Sequence, residues 1–257
     1  MPILDVGDVK LYYAVQGEGI PIVFIHPPVL TSLNFTYQAE GLSTKYKIIT
    51  FDIRGHGRSQ YSKRPLTYPL IADDIISLLD HLEIKKAFIC GYSTGGSIVL
   101  EYLLTNSSRA LGGIIIGGIS EVKDRQLKDK ISAGVKLAEI GAVPVLALST
   151  SWTNSITKEL FIQMFQVGRR GSSHNIKEYY NSSLHYNCTK QLVNINLPIL
   201  LVYGKKDKPF HIYAKLLHEN LPFNELKFIP KVKHQIPTKA ADELNRLIVQ
   251  FVEKYTE

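Results

Sequence analysis

The stretch of this chain that most restricts its fold is a serine between glycines, Gly91-Tyr92-Ser93-Thr94-Gly95. An apolar run at residues 87–89 precedes it and predicts a buried strand, and residues 97–104 after it predict a helix. A strand that turns directly into a helix needs glycine where side chains would clash, and it presents the serine hydroxyl at the tip of the turn. The helix directs its N-terminal N–H groups to the same point, where they stabilise negative charge. The stretch therefore predicts a nucleophilic serine at a sheet edge.

Strand and helix patterns alternate along most of the chain. Apolar runs predict strands at residues 10–15, 21–26, 46–52, 87–89, 111–119, 198–204 and 225–229. Helical spacing is present at residues 68–82, and Thr238 is a candidate N-cap for a last helix. Such alternation is typical of an α/β protein with a mostly parallel sheet flanked by helices, so we expect residues 1–257 to form one domain.

The alternation stops between residues 120 and 192, where the chain shows three helical patterns, an ambiguous apolar run at 142–148 and no convincing strand. We expect residues 1–119 and 193–257 to form the core and residues 120–192 to form a helical cap over a cleft. The large apolar side chains of the insertion favour an apolar pocket there. We therefore predict that Tyr92, Trp152, Phe161 and Phe165 contact the substrate. The alternative is that the apolar stripes of the insertion only pack on the core.

Composition restricts the class of protein. Hydrophobic residues make up 45% of the chain and charged residues 21%, which is ordinary for a globular protein. The longest apolar run, residues 111–119, is too short to cross a bilayer and contains four glycines, so we expect no stable membrane association. The N-terminus resembles no signal peptide, and two isolated cysteines, Cys90 and Cys188, fit a reducing compartment. The expected location is the cytoplasm.

The chain carries a net charge of +7. Residues 119–190 hold ten Lys and Arg against six Asp and Glu, so more than half of the excess lies there. This balance indicates either attraction of anionic ligands or a solvated lysine-rich surface. No basic run is dense enough to predict nucleic-acid binding, and no Cys/His cluster has zinc spacing, so we expect no metal.

A serine hydroxyl becomes a nucleophile only when a base takes its proton. Two later loops supply the groups for that task. Asp207 follows the predicted strand at 198–204, and His234 follows the one at 225–229. Because parallel strands all end at the same sheet edge, both residues are expected to lie near Ser93.

These features resemble the α/β-hydrolase superfamily, in the single-domain branch with a helical cap. The marks that carry the resemblance are His26 after an apolar strand, Asp52-x-Arg54-Gly55-His56-Gly57-x-Ser59, the turn at Ser93, Gly204-x-x-Asp207, and His234 before the last helix. They span nearly the whole chain. The resemblance implies that Ser93 is the nucleophile, Asp207 the acid and His234 the base, and it implies no metal and no organic cofactor.

The sequence departs from that family in one loop. Members usually carry His-Gly-x after the first buried strand, and residue x donates one N–H to the oxyanion, with the residue after the nucleophile donating the other. Here the loop reads His26-Pro27-Pro28-Val29, and proline has no N–H. Thr94 then keeps its donor, and we expect the Val29 N–H to replace the missing one. The side chains of Thr31 and Tyr92 are the alternatives.

The leading hypothesis is a serine hydrolase that cleaves a small ester or lactone, of the carboxylesterase type, with a small-molecule acyl substrate and a monomeric or homodimeric state. A ligand-binding or signalling protein of the same fold, with weak or single-turnover hydrolysis, is the alternative. Perhydrolysis, amide hydrolysis or C–C bond cleavage on the same three residues also stays open.

Overall fold

The computed structural model describes residues 2–256. The strands of its sheet are β1 Ile3–Asp5, β2 Lys10–Gln16, β3 Pro21–Ile25, β4 Lys47–Phe51, β5 Ala87–Tyr92, β6 Ala110–Ile116, β7 Ile199–Gly204 and β8 Asn224–Ile229. Its α-helices are α1 Thr36–Leu42, α2 Tyr68–His81, α3 Thr94–Thr105, α4 Arg125–Glu139, α5 Val143–Asn154, α6 Lys158–Gly168, α7 Ser173–His185, α8 His211–Asn220, α9 Ile236–Lys239 and α10 Ala241–Lys254. The predicted alternation of strands and helices is confirmed.

The eight strands lie in the order β1-β2-β4-β3-β5-β6-β7-β8. Pairing is antiparallel only at β1–β2 and β2–β4, and every other neighbouring pair is parallel. The prediction of a mostly parallel sheet is therefore confirmed. The short edge strand β1 was not predicted, because three residues are too few to show a pattern of alternation.

Side chains from the two faces of the sheet enter different cores. Along β3, Val23 and Ile25 pack in one apolar cluster together with residues of α2, α3 and α8. Ile22 and Phe24, which point the other way, pack in a second cluster with residues of α1 and α10. This arrangement follows from the period of two along a strand, and it explains why the inner strands read as unbroken apolar runs.

The segment between β6 and β7 contains four helices, α4 to α7, rather than the three indicated by the helical patterns. The ambiguous run at 142–148 forms the first turns of α5. A third apolar cluster joins these helices to the loop after β3, where Val29 packs with Ala138, Leu146 and Ile176. The segment thus lies above the loops that follow the parallel strands.

Three properties of the described chain bear on its chemistry. Residues 2–256 include no helix that is long and apolar enough to span a bilayer. Cys90 and Cys188 are both buried and not disulfide-bonded. Over the same range, no group of three His, Cys, Asp or Glu side chains is placed to hold a metal ion.

Candidate active site

The turn between β5 and α3 holds Ser93 in a strained backbone conformation, with φ 55° and ψ −123°. The Ser93 N–H donates to the Ile116 carbonyl at 2.8 Å, which anchors the turn to β6. A Cβ atom on Gly91 would lie 2.2 Å from the Gly95 carbonyl oxygen, and one on Gly95 would lie 2.3 Å from the Ile25 carbonyl oxygen. The predicted need for glycine at both positions is confirmed, because a side chain at Gly91 would open the turn and one at Gly95 would push the turn away from β3.

The structure brings Ser93, His234 and Asp207 together at the carboxyl edge of the sheet. His234 Nδ1 lies 2.8 Å from Asp207 Oδ2, and His234 Nε2 lies 3.0 Å from Ser93 Oγ. Because an ionised carboxylate only accepts hydrogen bonds, Nδ1 carries the proton and donates it to Asp207. Nε2 is then free to accept the Ser93 hydroxyl hydrogen, which is the arrangement that a general base requires.

Packing keeps the His234 imidazole in this position. The Phe210 ring centroid lies 4.1 Å from it and the Tyr92 centroid 5.3 Å from it. Gly117 has φ 57°, and a Cβ atom there would lie 3.0 Å from His234 Cε1. At the end of β7, a Cβ on Gly204 would lie 2.1 Å from the Lys233 carbonyl oxygen. Two glycines therefore let the His234 loop approach both β6 and β7.

The loop after β3 is held by buried polar contacts. His26 Nε2 accepts from the Ile53 N–H at 2.9 Å, so Nδ1 carries the proton and donates to the Pro27 carbonyl at 2.9 Å. The Tyr179 hydroxyl of α7 donates to the His26 carbonyl at 2.9 Å. Burial lowers the pKa of His26 to about 4, so this histidine is neutral near pH 7. Its two ring hydrogen bonds hold the loop after β3 in place.

The motif from Asp52 to Ser59 holds the chain after β3 in place through buried hydrogen bonds. The Asp52 carboxylate accepts from the Ser32 N–H at 2.8 Å and from the Arg58 N–H at 2.9 Å. Arg54 makes a buried two-pronged ion pair with Asp74, at 2.6 and 2.7 Å. Burial, with a smaller contribution from His26, lowers the pKa of His56 to about 3. The residues of this motif thus build the scaffold under the site.

The candidate oxyanion donors lie in different surroundings. Thr94 is the first residue of α3, where backbone N–H groups have no acceptor within the helix. The Tyr92 hydroxyl donates to Asn154 Oδ1 at 3.1 Å, and Thr31 Oγ1 accepts from the Leu33 N–H. The Tyr92 donor is therefore engaged in the structure, whereas the Thr31 hydroxyl acts there as an acceptor. Val29 has φ 71°, which is rare for a β-branched residue, and its donor role stays a prediction.

A cavity of about 470 Å³ opens onto Ser93 and His234. Its walls come from the loop after β3, from the turn at Ser93, from α4 and α5, and from Tyr180, Phe210 and Gln235. The volume is that of a small-molecule site. Of the four residues predicted to contact the substrate, Tyr92 lines this cavity.

The other three residues predicted to contact the substrate do not line this cavity, and their contact with the substrate stays a prediction. Trp152 is 71% exposed and contacts Phe161 edge to face, and both border a separate surface groove. Phe165 stacks on Phe161 and lies under the Arg169 guanidinium. Spacing along a helix identifies its apolar residues, but it does not reveal which side of a helix pair faces the cleft.

Several cavity residues carried no recognisable signal in the sequence. Lys130 and Gly134 of α4, and Asn154 of α5, line the cavity. Leu127 and Ile131 belong to an apolar stripe that the sequence does display, and they also line it. The stripe thus contributes part of the cavity wall, whereas the polar residues beside it could be assigned only from the packing of the helix.

Comparison with known proteins supports the same family. The family model described as the alpha/beta hydrolase fold matches residues 20–135. The chain is 25% identical to the AB hydrolase superfamily protein YisY of Bacillus subtilis, over 95% of each chain. These matches support the α/β-hydrolase superfamily as the family to which this chain is similar.

Solved structures of α/β-hydrolases superpose over nearly the whole chain. A bromoperoxidase from Bacillus anthracis has a TM-score of 0.88 at 21% identity, covering 98% of this chain and 99% of its own. An esterase from Exiguobacterium antarcticum has a TM-score of 0.87 at 23% identity, covering 98% of both chains. Relatives and structural neighbours of this chain include esterases, enol-lactonases and haloperoxidases, which supports hydrolase activity.

Proposed function

We propose that this protein is a serine hydrolase that cleaves a small ester or lactone through an acyl-enzyme. The observation that carries the proposal is the continuous hydrogen-bonded relay from Asp207 through His234 to Ser93, at the wall of a cavity. Neither bond of the relay exceeds 3.0 Å, so the serine is within reach of its base without rearrangement.

The proposed reaction has two halves. Ser93 Oγ bonds to the carbonyl carbon while its proton passes to His234 Nε2, and the carbonyl electron pair moves onto oxygen. When the tetrahedral intermediate collapses, the leaving alkoxide takes the proton from His234 and an acyl-Ser93 ester remains. His234 then removes a proton from water, whose oxygen bonds to the acyl carbon, and as this second intermediate collapses His234 returns the proton to Ser93 Oγ and the acid is released. Asp207 stabilises the imidazolium in both halves.

Negative charge on the substrate oxygen requires donors near Ser93. The Thr94 N–H at the start of α3 is one, and the partial positive charge of the helix N-terminus adds to it. We assign the second donor to the Val29 N–H, because Pro27 and Pro28 have none. We also propose that α4 to α7 act as the cap and that the substrate enters between the cap and the loops of the sheet.

One observation favours the alternative of a ligand-binding or signalling protein with slow turnover: Pro28 occupies the position of an expected oxyanion donor. Loss of a single oxyanion donor reduces kcat in established hydrolases by about 100- to 1000-fold. If Val29 does not replace Pro28 as a donor, acylation at Ser93 would be slow and deacylation slower. A single turnover followed by a retained acyl group is the signature of that alternative.

The test is steady-state hydrolysis of 4-nitrophenyl esters of increasing acyl length by the wild type and by Ser93→Ala. The proposal predicts multiple turnovers by the wild type and a fall in kcat on the order of 10⁴-fold or more in the variant. Equal rates for the two proteins would refute the assignment of Ser93. A burst of about one equivalent of nitrophenol followed by no further release would favour the binding protein.

A further inference from the structure

One charged residue stands out in the cavity beside Ser93. Among the residues between 2 and 256 that line the cavity, Lys130 of α4 is the only Asp, Glu, Lys or Arg. The one other lining residue that can carry a charge near pH 7 is His234. On the same helix, Leu127, Ile131 and Gly134 also line the cavity. Lys130 therefore lies on the face of α4 that borders the cavity, beside positions that are apolar or lack a side chain, and its own side chain is exposed to solvent.

The Lys130 ammonium is not neutralised by the protein. Of the ion pairs formed among residues 2–256, none includes Lys130. The adjacent carboxylate, Asp129, pairs with Arg125 at 3.6 Å instead. The other polar groups of the cavity wall on α5 and after β8, such as Ser149 and Gln235, are uncharged. The cavity lining described by residues 2–256 thus presents one unpaired positive charge and no negative one.

We propose that the substrate of this cavity carries a carboxylate group, which pairs with the Lys130 ammonium while the ester or lactone carbonyl lies at Ser93. The inference rests on the proposed hydrolase function and specifies its substrate class. An ammonium on a long side chain at the cavity wall attracts an anion and repels a cationic ester, and because Lys130 is exposed this attraction weakens as the salt concentration rises. The excess of basic residues in the segment from 119 to 190 acts in the same direction at longer range.

The test compares two esters of equal acyl length, 4-nitrophenyl hydrogen adipate and 4-nitrophenyl hexanoate, which differ by the terminal carboxylate. In Lys130→Gln, KM for the adipate ester is expected to rise about three- to tenfold, while KM for the hexanoate ester stays within the error of the wild type. Lys128→Gln is the matched control, because Lys128 is an exposed lysine of the same helix that does not line the cavity. The control is expected to change neither KM.

Two results would overturn the inference while leaving the hydrolase intact. One is hydrolysis of both esters with an adipate KM that Lys130→Gln does not alter. The other is an equal rise in the adipate KM in Lys128→Gln. That result would mean that the overall positive charge of the surface, and not Lys130 in particular, attracts the carboxylate. If the wild type hydrolyses neither ester and a fluorophosphonate does not label Ser93, the proposed function fails and the inference fails with it.

Discussion

The Tyr92 hydroxyl donates a hydrogen bond of 3.1 Å to Asn154 Oδ1, which ties the residue before Ser93 to the last turn of α5. Both side chains are buried, and Asn154 Nδ2 in turn donates to the Thr150 carbonyl within α5. The same tyrosine ring packs beside the His234 imidazole. One side chain therefore connects the helical segment, the serine turn and the histidine.

Removal of this hydroxyl is expected to destabilise the protein. In Tyr92→Phe the buried Asn154 oxygen loses its donor, which costs about 1–3 kcal/mol in the free energy of unfolding. Urea denaturation followed by circular dichroism measures the change. Tyr61→Phe is the control, because Tyr61 is half exposed and its hydroxyl makes no hydrogen bond within residues 2–256. If Tyr92→Phe and the wild type unfold with the same free energy, the hydrogen bond from Tyr92 to Asn154 does not stabilise the protein and this prediction is wrong.

Gly117 is expected to control the position of the His234 imidazole. In Gly117→Ala the new Cβ would lie 3.0 Å from His234 Cε1 and 3.1 Å from Nδ1, so the ring must move away from Asp207 or Ser93. Because small displacements of a catalytic group have large effects, we expect kcat on a 4-nitrophenyl ester to fall about tenfold or more.

The control for Gly117→Ala is Gly141→Ala. Gly141 has φ 75°, and a Cβ atom there would have no neighbouring atom within 4 Å, so its substitution imposes similar backbone strain without touching the imidazole. That strain costs about 1–2 kcal/mol in either variant. We expect kcat of Gly141→Ala to match the wild type. An equal fall in kcat in both variants would mean that lower stability, and not displacement of the His234 imidazole, reduces the rate.

The two buried histidines predict how stability depends on pH. His26 and His56 have pKa values lowered by burial from 6.5 to about 4 and about 3. Since the unfolded chain binds protons more readily, their contribution to stability is complete above pH 6.5 and is lost as the pH falls toward about 4 for His26 and about 3 for His56. Each histidine adds up to about 1.4 kcal/mol per pH unit to that slope.

Urea unfolding at pH values from 7 to 4.5 tests this dependence by comparing the wild type with His56→Asn. The free energy of unfolding of the variant should fall less steeply below pH 6.5, because one of the two histidines no longer takes up a proton on unfolding. Asp74, whose pKa is raised by burial to about 6, acts in the opposite sense, but it is present in both proteins. Parallel curves for the two proteins would mean that His56 is not buried as a neutral group.

The serine turn and the sheet could be predicted because their signals are local. The turn at Ser93 requires glycine at Gly91 and Gly95 for steric reasons, and the strands around it are apolar on both faces. The meeting of Asp207 and His234 with Ser93 followed from the rule that parallel strands end at one edge. That step needs the order of the elements along the chain and not their detailed packing.

The lining of the cavity could not be predicted in the same way. Trp152 and Phe161 belong to apolar stretches of the helical segment, yet the structure places them at a surface groove, while Lys130 faces the cavity. Which face of each helix turns inward depends on how α4 packs on α7 and α5 on α6, and the contacts between α4 and α7 join residues far apart in the sequence. The apolar stripe on α4 was informative because that helix has one apolar face, whereas the apolar residues of α5 surround it.

The most direct test of the proposed mechanism is reaction with a fluorophosphonate probe, followed by peptide mass spectrometry to locate the label. We predict one label per chain, on Ser93, with a labelling rate that falls by at least a hundredfold in His234→Asn, about the factor that loss of a general base produces. The hydrogen-bonded relay would then be the source of the reactivity of the serine. A label on another residue, or equal labelling rates for the wild type and His234→Asn, would contradict the account.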